Sequence, residues 1–88
     1  MLQIEYSNAF KKDLKLMQKR GKDISKFKAV ADLLVNKQPL PQKCRDHSLL
    51  GNYIYHRECH IESDWLLIYR IQDDTVSFEK TGTHSDLF

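Results

Sequence analysis

Leu2, Ile4 and Tyr6 alternate with Gln3 and Glu5, and that period of two predicts a short opening strand. The period then changes. Phe10, Leu14 and Met17 recur at helical spacing, with Ser7 as the capping residue, so a helix is expected through Arg20. Gly21 supplies the stop, since glycine takes positive φ without steric cost. Asp23 starts a second helix whose apolar stripe is Ile24, Phe27, Val30, Ala31 and Leu34. Two helices joined by Arg20-Gly21-Lys22 read as an antiparallel hairpin.

Lys37 through Asn52 is polar and punctuated by Pro39, Pro41 and Gly51, so it reads as a connection. It carries Lys43-Cys44-Arg45-Asp46-His47, a polar cluster without periodicity, of the kind that often holds functional residues. Tyr53–Ile61 reads as a strand. Trp65–Ile71 is apolar on both parities and is expected to be a central strand covered on both faces. Asp73-Asp74 supplies a turn, and Val76–Lys80 is a last strand with Val76, Phe78 and Lys80 on one face. The tail Thr81–Phe88 is polar except for Leu87 and Phe88. The order βααβββ predicts an α+β fold: a small antiparallel-rich sheet with a helical hairpin on one face.

Eighty-eight residues suffice for one domain, 1–88, and a thin core. No run approaches the ~20 apolar residues of a membrane span, and the first fifteen residues lack the apolar stretch of a signal peptide. Two cysteines are too few for a disulfide scaffold, which suggests the reducing cytoplasm. The net charge of +2 conceals an asymmetry. Residues 1–45 hold eleven Lys and Arg against four acids; residues 46–88 hold three against eight, together with all four histidines. A basic half suggests a polyanionic partner, although lysines also simply solvate helix surfaces.

Cys44, His47, Cys59 and His60 raise the question of zinc, and Cys44-x2-His47 has usable spacing. Adjacent residues on a strand point to opposite faces, however, so Cys59 and His60 cannot readily share an ion. No metal or other cofactor is expected. No glycine-rich loop is available to hold a nucleotide phosphate, because Gly21, Gly51 and Gly82 stand alone. The histidines carry more. An imidazole with its ordinary pKa near ~6.5 serves as base or acid at neutral pH. RNA cleaves itself when its 2′-OH is deprotonated, its 5′-oxygen is protonated and a cation steadies the phosphate, all without metal. His47, His60, Asp64 and His84 flank the late strands, and with antiparallel neighbours His60 and Asp64 bracket a tight turn with His84 toward the same edge. Four ordinary surface histidines are the plain alternative.

The segments KDLKLMQKRGKD (12–23), PLPQKCRDHSLLG (39–51), RECHIESDWLLIYRI (57–71) and FEKTGTHSDLF (78–88) together resemble the YafQ-type branch of the RelE/ParE toxin superfamily. The resemblance runs the length of the chain in order. It implies a toxin of a bacterial type II toxin–antitoxin module that cuts mRNA in the ribosomal A site. It also implies a cognate antitoxin as partner, with operator DNA contacted only through that complex.

Carried over by position, the resemblance makes His47, His60, Asp64 and His84 the acid–base group. Trp65 and Phe88 would help hold mRNA, with Lys43, Arg45 and Lys80 as its basic contacts. Lys80 departs from the family's arginine, keeping the charge but losing the planar fork. The expectation is that His84 protonates the leaving 5′-oxygen, His47 or Asp64 activates the 2′-OH, and His60 orients a partner or binds phosphate. His56 has no counterpart and reads as surface. Two other classes stay open: a ParE-like toxin that acts by binding a protein target, and a non-catalytic RNA-binding module. Four histidines in one half weigh against the first. The second would need aromatic stacking platforms amid the basic residues, and Tyr6, Phe10 and Phe27 are the only aromatics there.

Overall fold

The computed structural model describes residues 1–88. Strand β1 (Gln3–Tyr6) leads into α1 (Asn8–Lys19) and α2 (Ile24–Val35). Then come β2 (His47–Ser48), β3 (Arg57–Glu62), β4 (Trp65–Gln72), β5 (Thr75–Gly82) and a final short helix, α3 (His84–Leu87). The five strands form one sheet in the order β1-β5-β4-β3-β2, with β1 parallel to β5 and the other pairs antiparallel.

The helices begin where their caps dictate. Ser7 Oγ accepts from the Phe10 N–H and donates to the Glu79 carbonyl at 2.6 Å, so one side chain both caps α1 and pins it to β5. Asp23 caps α2 by accepting from the Ser25 N–H. Gly21 between them has φ +86°, a conformation that favours glycine. Phe10 from α1, Phe27 from α2 and Phe78 from β5 meet with ring centroids 5.2–5.7 Å apart, and this cluster seats the hairpin on one face of the sheet. Trp65 through Tyr69 are all buried, as the two-sided apolar run of β4 requires.

Three boundaries differ from the expectation. The strand predicted from Tyr53 begins only at Arg57, because Gly51–Tyr53 is a 3₁₀ turn and Tyr55 sits at φ 71°, which breaks extended backbone. The aromatic and β-branched residues there are strand formers by propensity, but their backbone closes a loop, with the Leu49 N–H bonded to the His56 carbonyl. The connection before them contains a strand after all, the two-residue β2. The polar tail folds into α3, closed by a capping box in which Thr83 and Asp86 bond each other's backbone N–H.

The face assigned to Lys80 also changes. Tyr69 pairs with Phe78 but Ile68 pairs with Lys80, so Glu79 is an extra residue and the alternation shifts by one. Lys80 therefore leaves the helix-covered face occupied by Val76 and Phe78.

Candidate active site

On the face away from the helices, cross-strand pairing builds a row. His47 on β2 lies opposite Glu58 on β3, Glu58 opposite Ile68 on β4, and Ile68 opposite Lys80 on β5. Directly paired residues share a face. In the next row His60 faces Leu66, and Leu66 faces Gly82. The β5 bulge is what places Lys80 in the first row. Its ammonium reaches sideways to within 3.8 Å of Asp13 on α1.

Each candidate histidine is held through Nδ1. His47 Nδ1 donates to the Arg45 carbonyl at 2.6 Å, a contact made possible by the left-handed backbone of Arg45. His60 Nδ1 lies 3.3 Å from the Ser63 carbonyl, and His84 Nδ1 lies 2.6 Å from Asp64 Oδ1. An Nδ1–H given to an oxygen leaves Nε2 as the working nitrogen, able to accept a proton or, once charged, to release one. Glu58 stands between two of them, its Oε1 3.6 Å from His47 Nε2 and 3.8 Å from His60 Nε2. Those distances are electrostatic rather than hydrogen-bonding. The rings of His60 and His84 have centroids 5.7 Å apart. With Glu58 between the first two, the four expected residues follow one another as His47–Glu58–His60–His84–Asp64.

Asp64 is committed within that chain. It accepts both the ring and the backbone N–H of His84, and these bonds hold its carboxyl below the usual aspartate range. A carboxylate so occupied is a weak proton acceptor, and its two bonds fix the orientation of the His84 ring.

The basic and aromatic candidates are divided. Lys43 and Arg45 are exposed and, with His60 and Ser63, line a cavity of about 340 Å³ beside the histidines. Phe88 is 65% exposed, with its ring 6.2 Å from that of Tyr53, and offers an open aromatic face. Trp65 does not. It is fully buried, its indole N–H donates to Thr81 Oγ1 at 2.8 Å, and it cannot stack on a base from there. The expectation that Trp65 touches RNA is corrected: it anchors the strand that follows Asp64. His56 packs on Tyr53, outside the chain of acid–base residues.

Alternation separates the residues of the zinc reading. Cys44 and Cys59 are buried in the helix-side core, while His47 and His60 occupy the opposite face. Burial pushes both thiols up, which keeps them protonated and unreactive. No group of three or more His, Cys, Asp or Glu stands close enough to hold a metal ion.

Two further residues shape the site: Glu58, which no sequence motif singles out, and Asp46 of the polar cluster, to which the sequence reading gives no role. Glu58 was detectable, since it precedes His60 by two on a strand and must share its face. Asp46 is needed for structure: it takes two bonds from Arg57 and one from the Tyr69 hydroxyl, fixing the short strand that carries His47. Gly82, between Thr81 and Thr83, is required by space. It is not a positive-φ turn; a Cβ there would lie 2.9 Å from Asp86 Cβ, so the residue must be small for α3 to fold back.

A helical hairpin on a five-stranded sheet, with a histidine-rich opposite face, defines the class, and residues 2–88 match the family of YafQ, the bacterial toxin of a type II toxin–antitoxin system. The chain belongs to that family. Among its relatives is the mRNA interferase toxin YafQ of Escherichia coli strain K12, 49% identical over 86 residues that cover 97% of this chain and 94% of the relative. The E. coli DinJ–YafQ complex contains a chain 47% identical to this one, with a TM-score of 0.92 over 100% of this chain and 99% of that one. A metal-bound toxin from Helicobacter pylori is 42% identical, with a TM-score of 0.93 over the whole of both chains.

Proposed function

We propose that the protein is a ribosome-dependent endoribonuclease, the toxin of a type II module, which cuts mRNA in the A site by His/Asp acid–base catalysis without a metal. The observation that carries this reading is the convergence of His47 and His60 on one sheet face with Asp64 of the β3–β4 turn and His84 of α3 beside them, each histidine with its Nδ1 already engaged. In the reaction, neutral His47 Nε2 takes the proton of the 2′-OH, and the resulting oxyanion attacks the adjacent phosphorus. The P–O5′ bond breaks while protonated His84 Nε2 delivers its proton to the departing 5′-oxygen. The products are a 2′,3′-cyclic phosphate and a 5′-hydroxyl, and the two histidines have exchanged protonation states. Glu58 steadies the His47 imidazolium and Asp64 the His84 imidazolium. His60, with Lys80, Lys43 and Arg45, supplies positive charge to the phosphate in flight. Phe88 offers a stacking face to a base.

The DinJ–YafQ complex of the E. coli relative supports a cognate antitoxin as partner. An acidic antitoxin segment would compete with mRNA for the lysine-rich helices, and the whole cycle would take place in the cytoplasm, on the ribosome. The test is induced expression followed by primer extension on translated mRNA. Discrete cuts within codons, abolished by coexpression of the antitoxin encoded beside the gene, are expected. Arrested growth with intact mRNA would instead favour a ParE-like toxin acting on a protein target.

A further inference from the structure

The turn of the helical hairpin grips both segments that carry the Asp64–His84 pair. On one side, Arg20 donates to Asp86 through two nitrogens, Nη1 to Oδ2 at 2.6 Å and Nη2 to Oδ1 at 3.2 Å. Asp86 is no passive partner. Its Oδ2 also accepts the Thr83 N–H at 2.9 Å, closing the capping box that starts α3, and His84 is the first residue of that helix. On the other side, Lys22 and Lys26 hold Glu62 at 2.9 and 2.7 Å, at the end of β3 just before the turn that bears Asp64.

Isolated ion pairs on a protein surface contribute little to stability. A two-point guanidinium–carboxylate contact is different in kind, because its planar fork fixes direction as well as distance. α3 is only four residues long and cannot hold its own orientation; its other tie to the body through a polar side chain is the His84–Asp64 contact itself. We infer that Arg20 is a positioning residue: through Asp86 it sets the orientation of α3, and so the aim of His84 at the leaving oxygen. Arg20 belongs to the basic half that would otherwise be assigned wholly to ribosome binding.

This inference rests on the role proposed for His84, and a pair of variants separates it from simple electrostatics. Arg20→Ala removes a positive charge while leaving the cap intact. Asp86→Asn removes a negative charge while keeping an oxygen to cap Thr83. An effect on ribosome affinity would have opposite signs in the two. Loss of the clamp has the same sign in both: each variant should cut mRNA about tenfold more slowly once bound, since small misplacements of a reacting group are costly. Arg20→Lys, with charge but no fork, should recover part of the rate and remain slower than wild type.

A second readout is independent of RNA cleavage. Nitrogen-15 NMR of the free toxin should show His84 carrying its proton on Nδ1 and bonded to Asp64 in the wild type, with that bonded signal weakened in both variants. Opposite-signed rate changes, or wild-type rates with an undisturbed His84 signal, would overturn the inference. A wild-type protein that cuts no mRNA would refute the proposed function, while the NMR comparison would still decide whether the clamp orders α3.

Discussion

One oxygen of Asp64 accepts two hydrogen bonds from His84, at 2.9 Å from the backbone N–H and at 2.6 Å from ring Nδ1. The carboxylate thereby fixes where the α3 backbone begins and which nitrogen of the imidazole faces outward. It does so at the surface, with the side chains of Asp64 and His84 60% and 56% exposed. The pair is assembled but still open to a substrate.

Replacing Asp64 with Asn tests that division of labour. The variant keeps an acceptor oxygen but loses the negative charge that faces the His84 ring. Single-turnover cleavage should fall by roughly 10- to 100-fold, less than loss of the general acid itself. If Asp64 were the base, Asp64→Asn would be as inactive as a variant lacking His84, and rate measurements on the two side by side decide the matter.

Glu58 lies between two imidazoles at distances too long for hydrogen bonds, so it acts on them through its charge alone. Glu58→Gln removes the charge and preserves the shape. The thermal midpoint of this variant should stay close to that of the wild type while the cleavage rate drops by about tenfold. A variant that loses stability and activity together would make Glu58 a structural residue only.

For Trp65 the expectation runs the other way. Trp65→Phe removes the N–H donated to Thr81 and leaves space in the core, at a cost of about 2 kcal/mol in stability. Cleavage by the folded variant should be close to wild type. Denaturant melts with activity measured at low temperature separate the two effects, and a stable but inactive variant would restore a direct RNA contact.

The elements most legible in the sequence were those with strong local signals. Ser7 and Asp23 as caps, Gly21 between the helices and the apolar run of β4 all led to the right fold. What remained hidden depended on tertiary contacts. A two-residue strand such as β2 has no period to detect, and it exists because Asp46 and Arg57 lock it against β3. The bulge at Glu79 is invisible to simple alternation, yet it moves Lys80 to the face of the histidines. The family resemblance pointed to His47, His60, Asp64 and His84, whereas the burial of Trp65 and the place of Glu58 between two histidines depend on the fold.

Asp86, Glu62 and Asp64 all have carboxyls held below their ordinary values, by Arg20, by Lys26 and Lys22, and by His84 respectively. The unfolded chain therefore binds protons on these groups more readily than the folded one. Their contribution is complete above the ordinary values of 3.8 and 4.5, and it is lost as pH falls below them. Thermal unfolding followed between about pH 6 and pH 3 should show a falling midpoint. Asp86→Asn should start slightly lower and fall less steeply, and a parallel decline in the two proteins would exclude Asp86 as a source.

The most direct test of the central claim is single-turnover cleavage on mRNA-programmed ribosomes by the wild type and His84→Ala, with ribosome binding measured separately. The wild type should leave a 2′,3′-cyclic phosphate end, and toxin freed of metal should cut at an unchanged rate. His84→Ala should bind nearly as well but cut roughly 10²- to 10⁴-fold more slowly, while His56→Ala, altered outside the acid–base chain, should retain activity. A 3′-hydroxyl product, cleavage by His84→Ala at the wild-type rate, or a defect traceable only to binding would contradict the account.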